Sequence, residues 1–120
     1  MDYQFFAFPH PTYVHVRASG ANTPANALRF LEEAHAACIA RGCDSLLIEQ
    51  SLDGPSLGAG GIFKLVQSRL DLALRLRRIA YVDTRGRDEG RQFVENMARN
   101  RGVNIRAFPT IEDAQRWLES

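Results

Sequence analysis

The sequence predicts a single α/β domain spanning residues 1–120, with a five-stranded mixed sheet. The sheet opens with an N-terminal antiparallel hairpin and continues as βαβαβα, with helices mainly on one face. Three observations carry this. The first strands show period-two alternation on either side of a proline turn. Strand-like apolar runs then alternate with capped helical stripes, in the order ββαβαβαβα. Finally, a chain of 120 residues that is 45% hydrophobic is one domain able to bury a core without staples.

Each element has a local cause. Tyr3-Gln4-Phe5-Phe6-Ala7-Phe8 is aromatic-rich and reads as a strand. Pro9-His10-Pro11 is the turn, because neither proline can donate to a ladder. From Thr12 to Ser19, Val14, Val16 and Ala18 alternate with Tyr13, His15 and Arg17, which marks a half-buried strand. Thr23 and Pro24 open a helix as N-cap and first helical residue, and Gly42 closes it. Leu28, Leu31, His35 and Cys38 are its expected inner stripe. Asp44 to Glu49 is the third strand.

Residues 50–61 are glycine-rich, with a turn at Asp53-Gly54-Pro55. A helix is expected from about Ile62, with Ile62, Leu65, Val66, Leu70 and Ala73 facing inward. Its end is not defined, because Leu72, Leu74 and Leu76 break the phase. Ile79 to Asp83 is the fourth strand and Thr84 to Asp88 a turn. A helix through Phe93, Val94, Met97 and Ala98 stops at Gly102. Val103, Ile105 and Ala107 alternate with Asn104, Arg106 and Phe108 in the fifth strand. Thr110 with Asp113 resembles a capping box for a last helix that turns Ala114, Trp117 and Leu118 inward. The polar sides of two strands predict an open face opposite the helices, with Glu49 in an ion-pair network with Arg17 and Arg106.

Net charge is +1, which argues against nucleic acid as a partner. Charge is uneven, however: residues 69–106 hold ten arginines against five acids. That points to an anion-facing surface, the plain alternative being a solvated, salt-bridged face. Lys64 is the one lysine beside fourteen arginines, a bias that fits a GC-rich bacterial genome. No leader pattern opens the chain and no apolar run reaches membrane-spanning length, so a cytoplasmic location is expected. Cys38 and Cys43 make no disulfide framework, and His35, Cys38 and Cys43 lack a fourth metal ligand. No nucleophile–base pair and no Gly-x-Ser-x-Gly elbow is present, so no enzyme activity and no cofactor are expected.

The sharpest site lies at two loops. Gly58, Gly60 and Gly61 lead into a helix, and Arg85 and Arg87 follow the fourth strand. In a parallel sheet both loops lie at the C-terminal edge, where ligands of α/β domains bind. Backbone N–H groups beside two guanidiniums suit an anion. The plain alternatives are a flexible connection and a polar turn with exposed arginines. Phe5, Phe6 and Phe8 on an edge strand either cap the core or join a second copy as a homodimer.

Together these elements resemble a STAS domain, the fold of anti-sigma-factor antagonists and of the cytoplasmic tails of sulphate transporters. More narrowly, the chain resembles the bacterial STAS-like group related in shape to CRAL-TRIO lipid carriers. The stretches Leu47 to Gly58, Ile79 to Asp83, and Phe93 through Val103 to Leu118 carry the likeness. The resemblance implies a non-enzymatic regulatory domain that binds a protein partner. It also implies a phosphorylated serine in an Asp-Ser-Ser-Gly turn before the second helix. That tetrapeptide is absent here; the matching stretch holds Ser51 and Ser56, and Ser56 is the better phosphoacceptor because it stands just before the glycines. The second functional reading is a small-molecule or lipid binder with an anion site at loops 50–61 and 84–88.

Overall fold

A computed structural model describes residues 2–84 and 88–120. The chain runs β1 (Gln4–Pro9), β2 (Val14–Ser19), α1 (Pro24–Arg41), β3 (Ser45–Gln50), α2 (Gly58–Ser68) and α3 (Leu70–Ala73). It continues through β4 (Arg78–Asp83), α4 (Asp88–Arg99), β5 (Ile105–Phe108) and α5 (Ile111–Leu118). The five strands form one sheet in sequence order. β1 pairs antiparallel with β2, and all other neighbours are parallel. The hairpin register sets Phe6 opposite Arg17 and Phe8 opposite His15.

The two faces of the sheet are covered unequally. On the first, Val14, Val16, Ala18, Leu46, Ile48, Ile79 and Ile105 pack against α1 and the end of α4, with α2 and α3 contributing half-buried residues. On the second, Leu47, Ala80 and Val82 pack against Ala114 and Leu118 of α5. β3 is therefore sandwiched, and Ser45 through Ile48 are all buried. One short helix cannot cover five strands, so the second face stays open over β1 and β2.

The local caps form as the sequence predicts. Thr23 accepts the N–H of Asn26, Gly42 takes a left-handed conformation, and Thr110 accepts the N–H of Asp113. Three expectations are corrected. The inner stripe of α1 is Ala27, Phe30, Ala34 and Cys38, with Leu31 and His35 only half-buried at its flank. Alanines let the helix approach the sheet closely, and Phe30 fills the remaining space edge-on to Phe5 at 6.0 Å. The second long helix starts four residues early, at Gly58, and breaks at Arg69 (φ −127°, ψ 24°) into α2 and α3. The phase break at Leu72 is this second axis, and it makes five helices in place of four.

The expected Glu49 network is the third correction. Glu49 pairs with His15 instead, Nε2 to Oε1 at 2.7 Å. Arg106 lies two strands from Glu49, roughly 10 Å at ordinary strand spacing. Arg17 faces Glu49 in register but lies over the rings of Phe6 and Phe8, 5.0 and 5.4 Å from their centroids. The aromatic hairpin holds the guanidinium by cation–π attraction.

Burial also sets a pH limit. The Cys38 thiol is pushed from 9.0 to about 11, chiefly by burial and then by the charges of Cys43 and Asp44. Burial likewise raises the Tyr3 and Tyr13 phenols. All three groups hold their protons more tightly folded than unfolded. Their contribution is complete below pH 9 and is lost as pH climbs through the folded values. Stability should fall by about 2 kcal/mol between pH 9 and 11, readable as a shift in urea midpoint. A midpoint unchanged between pH 8.5 and 10.5 would contradict this.

Candidate functional site

The site is built where β3 and β4 end. Residues 51–53 do not form a loose connection, because they run beside the segment after β2. Asp53 N–H donates to Gly20 O at 2.7 Å, Asn22 N–H donates to Asp53 O at 2.6 Å, and Ala21 and Asp53 form a parallel bridge. Leu52 is fully buried and anchors the segment. Gly20 is needed at this corner: at φ +126° a Cβ would sit 2.9 Å from the Tyr3 backbone.

The two candidate serines have different surroundings. Ser51 is half-buried, and its hydroxyl lies 3.1 Å from Thr84 Oγ1. Thr84 donates its own proton to Gln50 O at 2.9 Å, so Ser51 is the donor of that pair. Ser56 is exposed, and its Oγ accepts the N–H of Gly58 at 3.1 Å. It thereby satisfies one of the orphan donors at the start of α2.

The three glycines do not form a loop before the helix. Gly58 is the first residue of α2, with φ +77°, and Gly60 and Gly61 lie inside the first turn. Glycine weakens a helix interior, so this turn is held poorly by its own backbone. Packing holds the helix only in part: Leu65 and Val66 lie half-buried against the core, and no residue of α2 is fully buried. Gly60 has ordinary φ and open space where a Cβ would be, so Gly60→Ala should stabilise the domain by about 0.5–1 kcal/mol. Chemical denaturation checks it, and a destabilised Gly60→Ala would refute the packing described for this turn.

Arg85 and Arg87 lie outside the described residues, so the expected pairing of guanidiniums with the glycine turn carries no geometry. Among the described residues, no group of three His, Cys, Asp or Glu side chains converges to hold a metal ion. Cys38 is buried in the core, and the Cys43 thiol lies 3.5 Å from the carbonyls of Thr12 and Ser45. No helix among the described residues is long and apolar enough to cross a membrane.

Sequence reasoning missed the outward face of this side of the molecule. Among the described residues five large hydrophobics are exposed, and three of them, Phe63, Leu74 and Phe93, lie on or beside α2, α3 and α4. Arg101 lies 5.0 Å over the Phe63 ring and is held by Gln67 and the Met97 carbonyl. The stripe Ile62, Leu65, Val66 drew attention to the inner face and left Phe63 unremarked.

No family model matches the sequence, and no curated protein matches it. Solved structures do. An anti-sigma factor antagonist from Mycobacterium paratuberculosis superimposes with a TM-score of 0.67 at 17% identity, covering 99% of this chain and 96% of that one. The fold is STAS-like. An uncharacterized protein from Shewanella loihica with a SpoIIAA-like fold agrees, with a TM-score of 0.61 at 17% identity and coverage of 97% and 93%. Identity this low speaks for the fold alone. In this STAS-like fold, Ser56 and the glycine turn stand at the start of the second long helix.

Proposed function

We propose that the chain is a non-enzymatic, cytoplasmic regulatory domain that binds a protein partner through residues 51–57 and α2. The observation that carries this is α2 itself: none of its residues is fully buried, and it presents Phe63, 43% exposed, on the outside. An exposed aromatic beside an arginine is the composition of an interface anchor. The tethered loop fixes the register of this surface, while the glycine turn leaves it adaptable. That a structural neighbour is an anti-sigma factor antagonist supports a regulatory role. Ser56 is the acceptor through which phosphorylation would control the surface.

Affinity capture from lysate tests the reading, with wild type and Phe63→Glu compared at equal loading. One protein should be recovered reproducibly with wild type and reduced at least tenfold with the variant, whose thermal midpoint stays within a few degrees. Recovery of no specific protein, or equal recovery by Phe63→Glu, would remove the case for this surface.

A further inference from the structure

β1 is the outermost strand of the sheet, and among the described residues no strand lies beyond it. Which of its backbone groups are left over follows from the hairpin. His10 N–H donates to Tyr13 O at 3.2 Å, so these two residues form a bonded pair. Bonded pairs recur at every second residue of an antiparallel ladder, and the register then makes Phe8–His15, Phe6–Arg17 and Gln4–Ser19 the bonded pairs of the hairpin. The N–H and C=O groups of Phe5 and Ala7 therefore point away from the sheet. Pro9 shares their phase and has no N–H to present, which suits a proline on an open edge. Ala7, Phe8 and Pro9 are exposed.

Open edges are commonly guarded by a charged side chain or a bulge. β1 has neither: it carries no charged residue, and its register with β2 runs unbroken. We propose that β1 pairs antiparallel with β1 of a second copy, joining two five-stranded sheets across a two-fold axis. An uncharged edge meets its own copy without burying a charge, and antiparallel pairing of identical strands closes as a dimer. Pro9 sets the register. With Phe5 opposite the second copy's Ala7, every outward N–H of β1 finds a β1 carbonyl, and Pro9 falls opposite Tyr3, beyond the strand. A shift one way sets Pro9 against Phe5, whose carbonyl then lacks a donor; a shift the other way makes Ala7 reach Tyr3, outside the strand. Phe6 thus meets its own copy on the axis as a non-bonded pair, where side chains are closest and two aromatics attract. Phe6 and Phe8 stack 6.5 Å apart on the open second face, so the pairing joins two aromatic patches. Arg17 of each copy lies over these rings, and the two guanidiniums repel across the axis. Added salt should therefore strengthen the dimer by screening them.

Sedimentation velocity of the full chain tests this. Wild type should pass from monomer to dimer between about 10 and 500 µM, the weak range of a short interface. Ala7→Pro removes an outward N–H and no bond to β2, so it should stay monomeric with a thermal midpoint within a few degrees of wild type. Phe63→Glu, altered on α2, should dimerise as wild type does. Phe6→Cys gives a second measurement: across the axis the two Cα atoms stand roughly 4.5 Å apart, within disulfide reach. Oxidised glutathione, taking up the two electrons, should join two chains through position 6. The tryptic peptide of residues 1–17 holds no native cysteine, so mass spectrometry locates that link. Should Ala7→Pro not fold, the wild-type titration and the cross-link still decide. A wild type that stays monomeric, an Ala7→Pro variant that dimerises equally, or dimers linked only through Cys43 would overturn the pairing.

Discussion

Leu47→Ala should lower the stability of the domain by about 3–4 kcal/mol, a large fraction of what holds a domain of this size folded. Leu47 is fully buried in the middle of the central strand, on the face that only α5 covers. It belongs to one buried cluster with Tyr13, Ala80, Val82, Ala114 and Leu118, so its loss leaves a void in a layer closed on all sides. α5 is eight residues long, too short to persist without packing. The helix should therefore loosen before the sheet does, and cleavage after Arg116 by trypsin should quicken. Ile39 on the outer face of α1 is the control: it is 66% exposed, and Ile39→Ala should change stability by less than about 0.5 kcal/mol. Urea unfolding with unchanged slope measures both. A loss below about 1 kcal/mol for Leu47→Ala would mean that α5 does not seal the second face.

What the sequence discloses follows from how local each cause is. Thr23, Pro24 and Gly42 act on groups within four residues of themselves, so the limits of α1 could be read directly. The face of α1 could not, because hydrophobicity favours Leu28 and Leu31 while the sheet selects for close approach at Ala27 and Ala34. The glycine run reads as a loop by composition, yet only Gly58 has positive φ among the three, and Gly60 and Gly61 continue as helix. Asn22 carries no motif at all. Its place is set by Pro55, 33 residues away, whose carbonyl accepts from its side-chain amide. The choice of Phe63 as a surface anchor is equally tertiary, because it depends on how high α2 stands above the sheet. Ser56 stands out in sequence only as the residue before the glycines; it stands at a helix start because the helix begins at Gly58 rather than near Ile62.

Ser56→Asp should weaken partner binding at least tenfold, about 1.4 kcal/mol, while leaving the fold intact. The two effects separate for a physical reason. Ser56 is exposed at the start of α2, where negative charge is favoured by the unpaired N–H groups and the helix dipole. A phosphate there adds up to two negative charges and three acceptor oxygens without disturbing any buried group. A partner that docks on Phe63 and the adjoining turn must then desolvate that charge or repel it. Ser51 offers no comparable position: it is half-buried and already donates to Thr84. Ser51→Ala and Ser56→Ala should both keep binding within about threefold, since neither introduces charge. Kinase treatment of wild type, with the modified residue located by tandem mass spectrometry, should place the phosphate on Ser56. Isothermal titration with the captured partner then compares wild type, Ser56→Ala and Ser56→Asp. Phosphate found on Ser51, or a Ser56→Asp variant that binds as well as wild type, would show that this hydroxyl does not govern the surface.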